Sequence, residues 1–419
     1  MRLPEHPEAA MDVGIIERNP RAVAAKAAFA MPQLPGTDVD VRVKVAAERL
    51  EEIRQHHVDL YAKRDVVLRT TTPAGDRVDW VPVETQTDGA LPEPPDLDGT
   101  AAGADHPTRA AARTLLEPSA EQGPAGTVPV LHKDVDRMRP VGTLQDYLAK
   151  GLHPRVVTPP DNPTPPATGA AHEYAHAWQF VTNYGTDGYI NTWKPYVQWS
   201  NEFSLGQHWT VRGSGTGLQT LEVGAQTYKD IYGDWSPHLF IYYTTNGYTS
   251  SGDHLGGYNT DVRGWVQVGT SSFPGMRVAE SVAGGDQYDL YVKVQLYQGN
   301  WWVRIGAEWM GYYPASLYND GGLRSMADRA DWGGEIVDDT THHPESSQTD
   351  MGSGAFSGAG WSHAAYMRNL RYQSDEAGTM ADLQGTPQVT DASQYDIAAD
   401  FSGGGGWGSY FYWGGPGSI

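Results

Sequence analysis

The chain has 419 residues, enough for two domains or for one large domain with an appendage, and its net charge is −21. That charge argues against nucleic acid or an anionic membrane as the main partner, because phosphates would repel an acidic protein. The sequence contains no cysteine, which excludes disulfides, thiol catalysis and thiolate metal sites, and no apolar run long enough to span a bilayer.

Aromatic residues divide the chain into two regions. Of the 14 tryptophans, 13 lie at or after Trp178, and 21 of the 23 tyrosines lie at or after Tyr174. The first 170 residues are rich instead in alanine, proline and charged residues. We therefore predict an N-terminal region over residues 1–170 and a second domain over residues 171–419.

The N-terminal region is predicted to be partly helical and rich in linkers. The segment 88–128 consists mostly of proline, glycine, alanine and acidic residues, and we expect a linker or disorder there. An amphipathic helix of about 20 residues is indicated by apolar residues at helical spacing, namely Val43, Ala46, Leu50, Ile53 and Leu60.

A second, shorter helix is predicted near the end of this region. Thr143-Leu144-Gln145-Asp146 has the pattern of a capping box, and we expect the helix to stop near Gly151. Five prolines follow between Pro159 and Pro166. Such a run should be extended, exposed and open to proteases, so we predict that the chain is processed within residues 157–168.

From about His172 onward the hydrophobic pattern has a period of two. Tyr288 to Leu296 alternates between apolar and polar residues, Gln298-Gly299-Asn300 supplies a turn, and Trp301 to Ile305 begins the next strand. Similar short runs occur at Leu239 to Thr244 and Trp265 to Val268. Many short strands with frequent glycine predict an all-β domain, an antiparallel two-sheet β-sandwich.

Two glutamates lie inside strand-like runs, Leu221-Glu222-Val223-Gly224 and Trp332-Gly333-Gly334-Glu335-Ile336-Val337. Taken singly, each would be a solvent-facing strand residue. Leu221 and Val223 point to one face of their strand, so Glu222 points to the other, where a substrate groove could run. Two carboxylates that meet across a cleft can share one proton and activate a water, which is the chemistry of acid hydrolysis. The pair predicts a hydrolase.

His172-Glu173-Tyr174-Ala175-His176 matches the HExxH pattern of zinc peptidases. However, the following residues alternate like a strand, and residues four apart on a strand are about 13 Å apart, too far to share one ion. A zinc peptidase is therefore the less favoured alternative. His342-His343 lies in a polar, proline-containing stretch and is expected to be solvated.

The chain from about His172 to Gly417 resembles the neprosin family of glutamic prolyl endopeptidases. The resemblance rests on motifs that occur in order: Ile190-Asn191-Thr192-Trp193-Lys194-Pro195, Phe203-Ser204-Leu205, Glu222-Val223-Gly224, Tyr232-Gly233-Asp234, Gly257-Tyr258-Asn259, Gly264-Trp265-Val266-Gln267, Trp301-Trp302, Gly311-Tyr312-Tyr313-Pro314, Trp332-Gly333-Gly334-Glu335, Met351-Gly352-Ser353-Gly354, Tyr366-Met367-Arg368-Asn369, and the closing run from Trp407 to Gly417.

This resemblance implies a two-sheet sandwich with a catalytic pair, Glu222 and Glu335, in a groove. It further implies an endopeptidase that cuts after proline at acidic pH and whose N-terminal prosegment is removed on activation. Secretion is expected from the family alone, because Met1 to Pro7 lacks the apolar core of a signal peptide.

In the implied mechanism the ionised glutamate takes a proton from a bound water, while the protonated one binds the scissile carbonyl and later protonates the leaving nitrogen. No metal or other cofactor is required. Expected partners are proline-containing polypeptide substrates, without nucleic acid or membrane, and the protein is expected to be a monomer. The residues that bind substrate, and which glutamate is the acid, are left open. The alternative function is a carbohydrate-binding or glycoside-hydrolysing sandwich, since two carboxylates also define glycosidases.

Overall fold

The computed structural model describes residues 13–19, 41–44, 47–62, 64–97, 121–134, 142–151, 170–339, 347–403 and 406–418. Within the described part of the N-terminal region there are two helices and five strands. In chain order these are β1 (Val13–Ile16), β2 (Val41–Lys44), α1 (Ala47–Tyr61), β3 (Leu68–Thr71), β4 (Arg77–Pro82), a 3-10 turn (Val83–Gln86), β5 (Thr127–Leu131) and α2 (Leu144–Leu148).

Two sequence predictions for this region had wrong boundaries. The amphipathic helix is confirmed, but it begins at Ala47, and Val43 lies in β2, which pairs with β1. The predicted linker 88–128 extends too far, because Thr127 and Val128 begin β5. Val128 and Val130 pack against Val81 of β4, so their alternation belongs to a strand and not to the end of a linker.

The capping box that begins α2 is confirmed. The Thr143 hydroxyl accepts a hydrogen bond from the backbone N–H of Asp146, and the Asp146 carboxylate accepts one from the backbone N–H of Thr143. Each bond satisfies a donor at the start of the helix. Gly151 follows with a φ of +81°, a conformation that side-chain-bearing residues rarely adopt. The helix therefore ends where the sequence predicts.

From Ala170 onward the described chain is built mainly of strands, as predicted from the sequence. Its elements are β6 (Ala170–Asn183), β7 (Gly185–Asn191), β8 (Phe203–Arg212), a 3-10 turn (Gly215–Gly217), β9 (Gln219–Thr227), α3 (Lys229–Tyr232), β10 (His238–Thr244), β11 (Gly256–Tyr258), β12 (Val266–Gln267), β13 (Asp289–Tyr297), β14 (Asn300–Ile305), β15 (Glu308–Pro314), a 3-10 turn (Ala315–Leu317), β16 (Ala327–Asp339), a 3-10 turn (Ser357–Ala359), β17 (Ala365–Gln373), β18 (Met380–Asp382), β19 (Thr386–Val389), β20 (Asp396–Asp400) and β21 (Tyr410–Gly414).

These strands form two antiparallel sheets. The first has seven strands in the order β11-β10-β9-β8-β16-β6-β19. The second has nine, in the order β12-β15-β14-β13-β7-β17-β21-β20 with β18 on β17. The predicted hairpin is β13–β14, in which Val294 pairs with Val303 across the turn at Gln298 and Gly299. The β-sandwich predicted from the sequence is confirmed.

Side chains from the inner faces of both sheets form one core. Leu221 and Val223 point inward from β9 and are fully buried in it, as their alternation with Glu222 predicts. Trp413 reaches across from β21 to the backbone of β16. A Cβ on Gly334 would lie 2.0 Å from the indole of Trp413. The second glycine of the Trp-Gly-Gly-Glu motif is therefore required for the two sheets to approach each other at this point.

The N-terminal region docks on the sandwich through hydrogen bonds to backbone groups and through an ion pair. Gln86 exchanges two with the backbone of Gln267, at the edge of the nine-stranded sheet. Lys133 donates to the Asp261 carboxylate at 2.9 Å and to the carbonyl of Ile231 at 3.0 Å. The predicted processing segment 157–168 and the His342-His343 pair lie outside the described residues.

The sandwich contains a buried carboxylate that should make its stability depend on pH. Glu202 accepts hydrogen bonds from the Thr349 hydroxyl at 2.7 Å and the backbone N–H of Asp339 at 3.1 Å. Burial outweighs these bonds and raises the pKa of Glu202 from 4.5 to about 8. The folded state thus retains a proton that the unfolded chain releases. Stability contributed by Glu202 is lost above pH 8 and rises as the pH falls from 8 towards 4.5.

We expect Glu202→Gln to raise the melting temperature at pH 8 by about 4 °C or more, because the amide removes the buried charge. At pH 5, where the carboxyl is protonated in the fold, the variant should melt close to the wild type. Thermal unfolding followed by circular dichroism at both pH values measures this. The exposed Glu280→Gln is the control, and an equal shift at the two pH values would contradict the argument.

Candidate active site

The two predicted catalytic glutamates face the same way from strands on either side of β8. Glu222 on β9 pairs with Trp209 of β8, and Glu335 on β16 pairs with Leu205 of β8. Opposed residues of antiparallel strands share a face, and so do residues two or four apart on one strand. Both carboxylates therefore point to the outer face of the seven-stranded sheet, and Gln207 projects between them from β8.

Lys150 of the N-terminal region joins the two carboxylates. Its Nζ donates to Oε2 of Glu222 at 2.5 Å and to Oε2 of Glu335 at 2.6 Å. The exposed fractions are 4% for the Lys150 side chain, 0% for Glu222 and 1% for Glu335. The two oxygens can be no further apart than the sum of these distances. One small group can therefore contact both oxygens, as the Lys150 ammonium does, and a water molecule is small enough to do the same.

The charge on Lys150 is matched to this position. Burial disfavours an ammonium ion, but the carboxylates of Glu222 and Glu335 outweigh burial and raise the pKa of Lys150. A buried cation between two carboxylates is well compensated, whereas removal of one partner leaves an uncompensated charge. The three groups therefore form one interdependent unit.

Local structure explains how Lys150 reaches the sheet. Gln145 of α2 donates to the carbonyl of Ser251 at 2.8 Å and accepts from its backbone N–H at 3.0 Å, which ties α2 to the sandwich. Gly151 then lies against Val337 of β16, and a Cβ at Gly151 would be 2.9 Å from the Val337 side chain. The left-handed glycine thus fits closely against the sheet immediately after the lysine.

Glu335 also accepts hydrogen bonds from side chains of the seven-stranded sheet itself. His172 Nδ1 donates to its Oε1 at 2.6 Å and the Tyr174 hydroxyl to the same oxygen at 3.1 Å. Gln207 Nε2 donates to Oε2 at 2.7 Å. Burial disfavours the carboxylate, but Lys150 and His172 together outweigh burial and lower the pKa of Glu335 to about 2.

Glu222 has a different set of neighbours, all of them hydroxyls apart from Lys150. Thr220 Oγ1 donates to its Oε1 at 2.8 Å, and the Tyr248 hydroxyl donates to the same oxygen at 2.6 Å. Burial and the adjacent Glu222 raise the pKa of Tyr248 well above its usual value, so the phenol keeps its proton. Tyr248 also has a positive φ of +59°, the kind of strained backbone that is concentrated at functional sites.

An indole ring lies beside the two carboxylates. Lys150 Nζ is 5.4 Å from the ring centroid of Trp209, which is buried. Trp209 lies on β8, the strand between those that carry Glu222 and Glu335. The ring therefore presents an aromatic surface next to the space that Lys150 fills.

A family comparison agrees with this arrangement. The family model described as Neprosin matches residues 200–416, which is more than half of the 419-residue chain and includes both glutamates. The chain belongs to the neprosin family. The resemblance drawn from the ordered motifs is thereby confirmed. The matched segment runs from the start of β8 to the end of β21, and this neprosin-family chain places β6 and β7 in the same sandwich.

Two solved structures are similar to this neprosin-family chain at low levels. One is SCP-B, a member of the eqolisin family of peptidases, in a complex with the tripeptide Ala-Ile-His. It shares 10% identity at a TM-score of 0.30, covering 58% of this chain and 98% of that one. The other is CG-16, a homodimeric agglutinin from chicken liver, at 7% identity and a TM-score of 0.21, covering 40% and 96%. At these TM-scores neither similarity bears on function.

The HExxH pattern lies on a strand in this neprosin-family fold, as its alternation predicts. His172 and His176 both lie on β6, where their Nδ1 atoms contact different carboxylates, Glu335 and Asp331. Within the described ranges there is no group of three or more His, Cys, Asp or Glu residues that could hold a metal ion. No helix in that part of the chain is long and apolar enough to cross a membrane.

Several residues of the site were missed by the sequence analysis. Lys150 carried no signal, because one lysine after a short helix matches no motif. His172 and Tyr174 belong to a motif that was considered only as a zinc site. Their alternation on β6 could have placed both on one face, but only the pairing of β6 with β16 shows that this face carries Glu335. The structure brings Glu222 and Glu335 together, and their catalytic role stays a prediction.

Proposed function

We propose that the chain is the latent form of a glutamic endopeptidase that hydrolyses peptide bonds C-terminal to proline in acid, with Glu222 and Glu335 as the catalytic pair. One observation carries the proposal: the two carboxylates meet at a single buried nitrogen, that of Lys150. Membership of the neprosin family supports a peptidase. The proposed substrates are proline-containing polypeptides, acted on by a secreted monomer without a metal or other cofactor.

The position of the Lys150 nitrogen corresponds to that of the attacking water in the proposed mechanism. A water in that position can hydrogen-bond both Oε2 atoms. The ionised glutamate takes one of its protons as the oxygen attacks the scissile carbonyl. The protonated glutamate hydrogen-bonds the carbonyl oxygen and then protonates the departing nitrogen. Hydrolysis then needs only the two carboxyls and the side chains that donate hydrogen bonds to them.

Lys150 would also keep the chain latent. Its ammonium fills the space between the carboxylates, and the segment that includes Gly151 covers the sheet, so substrate and water are both excluded. Residues 1–170 are then the prosegment and residues 171–419 the catalytic domain. Cleavage within residues 157–168, after one of the prolines there, would separate the two and leave Lys150 on the prosegment.

Acid would weaken this inhibitory contact. The bridged state lowers the pKa of Glu335 from 4.5 to about 2. A depressed carboxyl pKa contributes stability to the bridged state that is fully present above about pH 4.5 and is lost as the pH falls towards 2. Protonation of Glu335 in that range removes one of the two charges that hold the ammonium. Acid release therefore agrees with the direction of this shift.

Trp209 offers a surface for the proline ring. Its indole lies beside the two carboxylates, and a pyrrolidine ring stacked on it would replace the lysine side chain. Aromatic rings bury a large apolar area and favour flat, compact partners. The preference for proline itself is supported by the family resemblance.

The test is an acid digest with the purified full-length chain. We expect incubation at pH 3 to yield cleavage of a proline-containing peptide on the carboxyl side of proline, identified by mass spectrometry, and unchanged by EDTA. N-terminal sequencing of the processed chain should place its cut within residues 157–168. Loss of activity with EDTA would favour a zinc peptidase. Activity only on glycans would favour a glycosidase, and absence of peptide cleavage at every pH would overturn the proposal.

A further inference from the structure

The two carboxylates receive different kinds of donor from the sandwich. Setting Lys150 aside, Glu335 accepts hydrogen bonds from His172, Tyr174 and Gln207. Among the residues that the structure describes, Glu222 accepts only from the hydroxyls of Thr220 and Tyr248. A hydroxyl can donate to a carboxylate or accept from a carboxylic acid. The Nδ1–H of His172 and the Nε2–H of Gln207 can only donate. They therefore favour a carboxylate, which only accepts, over a carboxylic acid at Glu335.

From this asymmetry we propose that His172 is a positioning residue that makes Glu335 the general base and leaves the shared proton on Glu222, the general acid. The inference rests on the proposed function and adds to it the roles of the two glutamates.

The arrangement of His172 supports a role in the released enzyme. Its ring is held between aromatic neighbours, stacked with Tyr174 and edge-on to Phe203. Its Nε2 is buried and has no hydrogen-bond partner among the described residues. A Cβ on Gly151 would lie 3.3 Å from that nitrogen. When the prosegment leaves, Nε2 is therefore uncovered at the edge of the cleft while Nδ1 retains its bond to Glu335.

Other charged or titratable groups near His172 do not compete for this role. Glu335 and Tyr174 face the ring from β16 and β6. Glu173 points to the opposite face of β6, where the hydroxyl of Thr390 donates to its carboxylate. Lys150 faces Glu335 only in the latent chain. After release, His172 remains hydrogen-bonded to Glu335 through Nδ1, and no histidine within the described part of the chain bonds Glu222.

The steps balance with this assignment. Glu335 removes one proton from the bridging water, whose oxygen forms the new bond to the carbonyl carbon. Glu222 gives its proton to the amide nitrogen as the carbon–nitrogen bond breaks, which releases a carboxylic acid and an amine. Transfer of one proton from Glu335 to Glu222, directly or through the next water, restores the starting state. The enzyme gains and loses no net proton.

Leaving-group chemistry tests the assignment of acid and base. A nitrophenyl ester of an acyl-proline peptide needs no proton on its leaving oxygen, whereas the corresponding amide needs one on nitrogen. Full-length chains would be processed in acid with a trace of tagged wild type, which is then removed. We expect Glu222→Gln to lose amide hydrolysis. The fraction of wild-type activity that it keeps should be at least about 10-fold larger on the ester than on the amide. Glu335→Gln should lose both equally, and the reverse pattern overturns the proposal.

The role of His172 is tested by the pH dependence of kcat/KM. His172→Asn retains a neutral donor near Glu335. We expect the acidic limb of its kcat/KM profile to move up by about one pH unit, while the plateau value of kcat/KM stays within about threefold of the wild type. His172→Phe removes the donor and should lose about 10- to 100-fold at the plateau. His176→Asn on the same strand is the matched control, with an unmoved limb.

Coincident acidic limbs for wild type, His172→Asn and His176→Asn would overturn the role of His172. If His172→Phe does not fold, the acidic limb of His172→Asn still tests the role of His172. A wild-type chain without peptidase activity in the same assay would instead overturn the proposed function, and the assignment with it.

Discussion

Replacing Glu335 by Gln is expected to reduce peptide hydrolysis by at least about 1,000-fold, because the amide cannot take a proton from water. The amide is nearly the same size as the carboxyl, and it can still accept hydrogen bonds from His172 and Tyr174. The fold should therefore survive the change. The measurement is kcat/KM on a proline-containing fluorogenic peptide in acid, after the variant has been processed by a trace of wild-type protein.

The exposed Glu280→Gln is the control for this variant, since Glu280 lies on the same domain and carries the same chemical change. It should retain full activity. Circular dichroism should show that Glu335→Gln keeps the β spectrum of the wild type. Activity of Glu335→Gln within tenfold of the control would exclude Glu335 from the chemistry.

Lys150→Met is expected to end latency in the uncleaved chain. Methionine keeps much of the length and apolar character of the lysine stem but removes the ammonium, so Glu222 and Glu335 lose their shared partner. Loss of one member of a buried ionic group costs about 3–5 kcal/mol, equivalent to more than 100-fold in an equilibrium. That cost destabilises the closed state, in which the N-terminal region covers the two carboxylates. The intact variant should hydrolyse the fluorogenic peptide at pH 5 to 6, where we expect the intact wild type to be inactive.

A matched change tests whether charge at this one position matters. Lys194→Met removes a lysine that pairs with Glu280 on the surface of the sandwich, and the intact chain should stay latent. Electrophoresis of each sample at the time of the assay shows that the chain is uncut. A Lys150→Met chain that is folded, intact and as silent as the wild type would show that steric cover, not the ammonium, maintains latency.

Sequence patterns predicted the parts of the fold that depend on short-range chemistry. Alternation at Tyr288 to Leu296 gave a hairpin, and the Thr143–Asp146 box gave a helix that ends before Gly151. Both depend on residues only a few positions apart. Boundaries were less accurate where two patterns overlap. Val43 matches helical spacing yet belongs to β2, because pairing with β1 outweighs a local periodicity.

The site was predictable only in part. Two glutamates in strand-like runs, with the family motifs around them, were enough to name Glu222 and Glu335. The order of the sheet, with β8 between β9 and β16, was not, since pairing partners in an antiparallel sheet are set by tertiary structure. The role of Lys150 could not be predicted for the same reason, because its contacts with Glu222 and Glu335 join residues 72 and 185 positions apart in the chain. Nothing in its local sequence distinguishes it from a solvated lysine.

In the proposed latent form, Lys150 belongs to the same chain as the carboxylates that it would block, so inhibition of the uncut protein would be independent of protein concentration. A tethered ligand acts at an effective concentration of about millimolar, which dilution cannot reduce. One cut between Gly151 and Ala170 converts the tether into a separate inhibitor fragment, whose occupancy then falls with dilution. Dispersal of the processed enzyme would therefore make its activation effectively irreversible, even if the pH later rises.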